Sequence, residues 1–278
     1  VAYFLVTFTV PAELRALIRS HQKELYALLF RESAATLQEV AASPKRLGAE
    51  LGMLGVLHTW SRQLVYHPHV HYVVAGAGLS ADGLRWKRVV SDQFFLPEKV
   101  LARRFRNRLR HALARDLRQW ADQSADSNSE ACRQIPAAVW RTDWVVDSLA
   151  VGSGEAALKY LSAYVYKTAL SSARILADDE RGVTFRFRRT DDGSWQTLTL
   201  TPLEFVRRFL QHVLPRGFQR IRSYGWLAPA AKEKWQRIEA LLDWKRPEPP
   251  PSLPLPVPEC PHCRKPMALI ERLPRAPP

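Results

Sequence analysis

Four of the eight histidines lie between residues 58 and 71, in the run LHTWSRQLVYHPHVHYVVAG, and two of them, His69 and His71, flank a single valine. In a β-strand, residues two apart point to the same face. His69 and His71 are therefore expected side by side, with Val70 turned into the core. Neutral imidazole is the commonest protein ligand of transition metals. A solitary histidine on such a strand would read as packing, but a His-x-His pair with two further histidines nearby points to a metal centre. A third ligand is required. His67 shares the face but is four residues from His71, roughly 13 Å along an extended strand. Only a bend at Pro68 would close that distance. His58 lies on the preceding strand, and a hairpin turning within residues 61–67 carries it across from the pair. His58, His69 and His71 are the expected ligands. A purely structural zinc site normally recruits thiolates, and no cysteine is close in sequence.

The rest of the chain fits a mixed fold. Residues 1–10 (VAYFLVTFTV) are β-branched and aromatic and read as a buried strand. Apolar residues then recur at helical spacing to about residue 42, where Ser43 and Pro44 end the pattern. Residues 53–66 and 69–75 read as strands, 92–120 as a helix, 122–130 as a polar loop and 140–146 as a further strand. Residues 154–170 read as an amphipathic helix. Three short strands are expected at 174–177, 183–188 and 195–200, then helices at 202–214 and 229–242, the first with proline at its start. Strands and helices do not alternate regularly, which predicts an α+β domain over residues 1–245. A proline-rich linker (246–258) and a short tail (259–278) follow. Val1 opens directly on a strand, so the sequence is expected to continue upstream.

The stretch ALKYLSAYVYKTALS places Tyr160 and Tyr164 four residues apart, on one helical face, with Lys167 a turn beyond. A phenol is a weak nucleophile until something stabilises its anion, which an adjacent ammonium such as Lys167 would do. Tyrosines at this spacing are more often packing, so the pair gains meaning only beside the histidines. The 92–120 helix carries Arg103, Arg104, Arg106, Arg108 and Arg110 on its face. The whole chain holds 41 Lys plus Arg against 27 Asp plus Glu, a net charge of +14. That balance favours a polyanionic partner. These arginines are the expected contacts to a nucleic-acid phosphate backbone, with Lys232, Lys234, Arg237 and Lys245 as further ones. No stretch is long and apolar enough to span a membrane, and three cysteines argue for a reducing cytoplasm rather than a disulfide framework.

With these motifs in order, the chain resembles the rolling-circle insertion-sequence transposases of the two-tyrosine class. They belong to the His-hydrophobe-His superfamily of single-strand endonucleases, with replication initiators and conjugative relaxases. The stretches that carry the resemblance are LVTFTVPAELR, the histidine run, FFLPEKVLARRFR, ALKYLSAYVYKTALSSARI and TLTPLEFVRRFLQHVLPRGFQRIRSYGWLA, together spanning about residues 1–242. The resemblance implies an antiparallel-sheet endonuclease core flanked by helices. It implies a divalent metal, Mg or Mn, on His69 and His71, and paired nucleophiles at Tyr160 and Tyr164. The implied substrate is single-stranded DNA at element ends and target, and self-assembly into a homo-oligomer is compatible with it.

Two further expectations complete the reading. Cys260 and Cys263 form half a zinc motif in the tail, a candidate second metal site with no second cysteine pair after it. Three other functions fit parts of the pattern: a replication initiator or relaxase with the same chemistry, a non-catalytic DNA-binding fragment, and a structural zinc protein. The last predicts unfolding on metal removal.

Overall fold

A computed structural model describes residues 1–123, 135–165, 169–189, 191–245 and 258–268. The chain divides into two compact units, Val1–Asp243 and Trp244–Pro278. The larger is an α+β domain on an antiparallel sheet. Its strands are β1 (Tyr3–Thr9), β2 (Ala49–Trp60), β3 (Tyr66–Ser80), β4 (Trp86–Arg88), β5 (Val146–Gly152) and β9 (Ile221–Gly225). They lie in the order β5-β1-β3-β2-β9, with β4 pairing β3. A separate three-stranded sheet joins β6 (Ile175–Asp179), β7 (Gly182–Arg188) and β8 (Trp195–Leu200) in that order. The helices are α1 (Arg15–Ser20), α2 (Gln22–Ala42), α3 (Glu98–Gln123), α4 (Gly154–Val165), α5 (Pro202–Leu210) and α6 (Lys232–Leu241).

The alternation of β1 and β3 divides the main sheet into two unlike faces. Phe4, Val6 and Phe8 of β1, with Val70, Tyr72 and Val74 of β3, enter the main core beneath α2 and α3. Leu25, Leu28, Leu29 and Leu37 of α2 and Leu101, Phe105 and Leu109 of α3 meet them at helical spacing. Phe8 packs edge-on to Tyr72 at 5.9 Å and to Phe105 at 5.0 Å. The buried Tyr72 hydroxyl is satisfied by Ser33 Oγ at 2.8 Å and by donating to the Phe30 carbonyl at 3.1 Å. Burial pushes its phenol well above the ordinary value. Buried Glu32 accepts from Arg31 and Arg108 at 2.9 and 3.1 Å, so this buried carboxylate is paired twice.

The opposite face carries the odd-numbered positions: Tyr3, Leu5, Thr7 and Thr9 on β1, and His69, His71, Val73 and Ala75 on β3. Helix α4 covers part of it, with Ala157 buried against Leu5 and Val73 and Leu161 packed alongside.

Several boundaries differ from the sequence expectation. The strand expected at 140–146 is instead a 3-10 turn, Ala137–Trp140, followed by β5 at Val146–Gly152. Trp144 is drawn into the core, its ring 5.4 Å from Phe105 and its indole N–H donating to the Val139 carbonyl at 3.0 Å. The expected strand at 53–66 ends at Trp60. Ser61 closes the turn, its N–H donating to the Val65 carbonyl at 2.9 Å, with Leu64 at φ +60°. The 92–120 helix starts only at Glu98, immediately after Pro97, whose carbonyl accepts from the Val100 and Leu101 N–H groups at 3.0 and 3.1 Å. The helical stretch running to about residue 42, expected as one long helix or a pair, is the pair α1 and α2, meeting at His21. Strands β4 and β9 were not expected, because both are short and polar edge segments.

Candidate metal centre and tyrosine helix

The register between β2 and β3 places His58 directly opposite His69, and that between β1 and β3 places Thr9 opposite His69 and Thr7 opposite His71. One face of three neighbouring strands therefore holds the row Thr9–His69–His58 beside the row Thr7–His71–Val56. His58, His69 and His71 each bring a ring nitrogen within 4.8 Å of the other two. Their rings are 4.7 to 5.6 Å apart between centroids and mutually steep. His58 is 2% exposed and stacks on Trp60 at 4.6 Å.

Two contacts set the orientation of the β3 imidazoles. His69 Nδ1 lies 2.6 Å from the His67 carbonyl. A carbonyl only accepts, so Nδ1 carries the proton and Nε2 keeps its lone pair. His71 Nδ1 lies 2.8 Å from Thr7 Oγ1. With Nδ1 donating to that hydroxyl, His71 also offers Nε2. A ligating histidine commonly gives its other N–H to such an outer partner. Three imidazoles converging on one sheet face fit a divalent cation, which neutral imidazole ligates, and leave coordination positions for a substrate. His67, the alternative third ligand, is not in this cluster. Its ring lies 5.1 Å from that of His69, and burial with nearby Arg15 lowers its pKa.

Thr7 is the site residue the motif reading missed. A signal for it existed, because Thr7 and Thr9 are hydroxyl-bearing residues at alternate positions of an otherwise apolar ten-residue strand.

The path of α4 relates the tyrosines to the histidines. β5 runs antiparallel to β1 and ends with Gly152 opposite Tyr3. Gly152, at φ +86°, reverses the chain. Gly154 sits against the Tyr3 ring, and Ala157 sits over Leu5 and Val73. The helix therefore advances along β1 from its Tyr3 end toward Thr7. Backbone positions 160 and 164 fall on the stripe of Ala157 and Leu161, about 4.5 and 10.5 Å further along the axis. From Leu5 to Thr7 is about 7 Å on the strand. The side chains of Tyr160 and Tyr164, and all of Tyr166 and Lys167, lie outside the described residues.

The expected DNA-contacting arginines lie elsewhere. Helix α3 covers the sheet face opposite the histidines. Arg104 pairs with Glu39 at 3.2 Å, and Arg108 with both Glu32 and Glu39 at 3.1 Å. Arg106 donates to the Thr142 carbonyl at 2.5 Å. Arg103 and Arg110 face solvent. Lys234, another expected phosphate contact, pairs with Glu50 at 2.7 Å. No helix among the described residues is long and apolar enough to cross a membrane.

In the smaller unit, Cys260 and Cys263 occupy one tight hairpin. Cys260 N–H donates to the Lys265 carbonyl at 2.9 Å, and Arg264 N–H to the Cys260 carbonyl at 2.8 Å. Arg264 takes the left-handed conformation at φ +59°. Backbone N–H groups of Cys263 and His262 pull the Cys260 thiol below its ordinary pKa. Both cysteines are unbridged, and Cys132 lies outside the described residues.

The family model described as "Putative transposase", Y2_Tnp, matches residues 52–234, the stretch from β2 into α6. The "Putative transposase y4qJ" of Sinorhizobium fredii is 38% identical over 255 residues, covering 89% of this chain and 64% of that protein. The "Transposase for insertion sequence element IS801" of Pseudomonas savastanoi pv. phaseolicola is 29% identical over 265 residues, covering 89% of this chain and 60% of that protein. The chain thus spans less than two thirds of the length of either relative. No solved structure matches. By the extent of the model match and the identity to its relatives, the chain belongs to the Y2_Tnp transposase family.

Proposed function

We propose that the chain is the catalytic region of a transposase that nicks and rejoins single-stranded DNA through a 5′-phosphotyrosine intermediate. The observation that carries this reading is the convergence of three imidazole nitrogens, within 4.8 Å, on the sheet face along which the Tyr160–Tyr164 helix runs. The order of motifs and the membership in a transposase family support it.

A divalent cation held by His58, His69 and His71, Mg or Mn, would supply charge stabilisation to the oxygens of the scissile phosphate. The protein does the rest. The hydrogen bonds from His69 to the His67 carbonyl and between His71 and Thr7 hold two ligand rings in place. The phenol oxygen of Tyr160 or Tyr164, giving up its proton, attacks phosphorus. The bond to the 3′ oxygen breaks, and that oxygen takes up a proton. The products are a free 3′-OH and a DNA 5′ end esterified to tyrosine. Lys167 favours the phenolate. The phosphoester bond is conserved, so attack by a 3′-OH on the tyrosine ester rejoins DNA without ATP. A second tyrosine four residues on allows a second cleavage before the first ester is resolved, as strand transfer from donor to target requires. The hairpin thiols Cys260 and Cys263 supply two of the four ligands a structural zinc takes, and we read them as a half-site outside this chemistry.

The test uses single-stranded DNA carrying element ends, Mn²⁺ and denaturing gels. The parent protein is expected to give a covalent protein–DNA band, and the Tyr160→Phe, Tyr164→Phe double variant none. An undiminished band in the double variant would reject these nucleophiles.

A further inference from the structure

The β6-β7-β8 sheet has an apolar inner face and a basic outer one. Phe185 and Leu200 turn inward and pack with Leu64, Ala169 and Leu170, against Trp60 and Phe205. The outer face alternates with them. Arg186 lies opposite Thr197, and Arg188 opposite Trp195. Trp195 is 54% exposed. Two guanidiniums flank it, with Arg186 at 5.0 Å and Arg188 at 5.7 Å from the ring centroid.

Arg62, Arg174 and Arg188 bond backbone carbonyls, which hold the guanidiniums in place without neutralising them. Among the described residues none of Arg62, Arg174, Arg186 and Arg188 pairs with a carboxylate. Their neighbours differ: Arg189 pairs with Asp191, and Arg207 and Arg208 share Glu204, holding its carboxyl down at about 2. Arg174 feels both Arg62 and Arg186, and its guanidinium is held below the usual range by burial and by these two like charges. Two guanidiniums at an exposed ring, with no carboxylate partner among the described residues, suit an anion that also presents a flat apolar surface.

The small sheet that carries the patch also packs beside the histidine strands, through its inner face. Arg62 sits in the turn between β2 and β3 and bonds the Arg188 and Arg189 carbonyls. A cleft of about 410 Å³ lies between that turn and β7-β8, lined by Arg62, Arg188, Arg189 and Asp191 and by Phe187 and Gln196 of the sheet's inner face. Trp60, two residues from His58, stacks on its ring and packs into the inner face of the small sheet.

We propose that this outer face is a single-strand DNA platform, in which Trp195 stacks an unpaired base and Arg186 and Arg188 hold the adjoining phosphates, with Arg62 and Arg174, bonded to the carbonyls of Arg189 and Arg186, as further cations beside it. It rests on the reading that the chain acts on single-stranded DNA, and it extends the substrate path from the histidine cluster onto the second sheet. Base stacking on an aromatic ring combined with a cationic groove is the general mode of single-strand binding. A duplex keeps its bases inside the helix and cannot use the ring.

The test is fluorescence anisotropy of a labelled thymidine oligonucleotide with the full chain, in EDTA, so that binding is scored without chemistry. Trp195→Ala is expected to weaken single-strand binding about tenfold or more, while Trp195→Phe, which keeps a ring, stays close to the parent. The Arg186→Gln, Arg188→Gln variant is expected to reduce the slope of log K on log salt by about 1.4, roughly 0.7 per lost phosphate contact. Parental affinity in Trp195→Ala, or equal weakening on single-strand and duplex probes, would overturn the stacking role. An unchanged salt slope would overturn the phosphate role. Loss of the manganese-dependent covalent band with a surviving Trp195 effect would instead fault the catalytic reading and leave the platform standing.

Discussion

His69→Ala and His71→Ala should each abolish manganese binding at the triad and reduce covalent DNA-adduct formation by about three orders of magnitude or more. A metal Lewis acid is worth several kcal/mol at a phosphoryl centre, and about 4 kcal/mol is a thousandfold in rate. Both imidazoles are only partly buried, on the sheet face opposite the main core, so the fold should survive. Thermal unfolding should therefore shift little while titration calorimetry with Mn²⁺ loses its signal. Thr7→Val gives the graded version. It removes the oxygen 2.8 Å from His71 Nδ1 without removing a ligand. Outer partners of this kind are worth about 10- to 100-fold in metal affinity. Saturating Mn²⁺ should restore most of the Thr7→Val activity but none of the His69→Ala activity. Equal manganese affinity in all three proteins would mean that the rings merely pack.

The histidine arrangement was legible in the sequence because it depends on one short-range rule, the two-residue period of a strand. Adding His58 needed only a hairpin, and the turn within residues 61–65 supplies it. Thr7 depends on how a strand sixty residues away registers with β3, which no local pattern encodes. The arginines of α3 show the same limit from the other side. Their spacing is visible, but the ion pairs with Glu32 and Glu39 come from α2, a contact fixed only when two helices pack. Trp144 looked like part of a strand because aromatics favour strands, yet its ring is taken by the core beside Phe105. The small sheet was legible as strands from alternation and turns, but its charged outer face became meaningful only once the pairing of Arg188 with Trp195 was known.

A second large effect is expected at Gly225, where β9 ends. Gly225 has φ +62°, and a Cβ there would lie 1.7 Å from the Leu51 carbonyl oxygen and 2.7 Å from Gln38 Nε2. Neither neighbour can yield, since the Gln38 amide bonds both the carbonyl and the N–H of Leu51 at 2.8 and 2.9 Å. Gly225→Val therefore combines left-handed strain, about 1–3 kcal/mol, with a backbone collision, and should cost at least about 4 kcal/mol. The loss reaches the site, because β9 pairs with β2 up to Val56, two residues from His58. Gly217→Ala is the control. It also has positive φ, at +74°, but nothing lies within 4 Å of its added Cβ, so only about 1–2 kcal/mol of strain applies. Urea unfolding should show a large drop in midpoint for the first and a small one for the second, at similar slope. Comparable midpoints would mean that β9 is not locked to β2 as described.

The geometry as a whole requires that a cation on the three imidazoles faces α4 rather than α3. Paramagnetic broadening of amide resonances by stoichiometric Mn²⁺ reads this directly. The amides of residues 160 and 164 should broaden strongly, while those of Phe105 and Leu109, separated from the ion by the sheet, should broaden much less. Broadening centred on α3, or an α4 untouched by bound manganese, would contradict the arrangement on which the proposed chemistry stands.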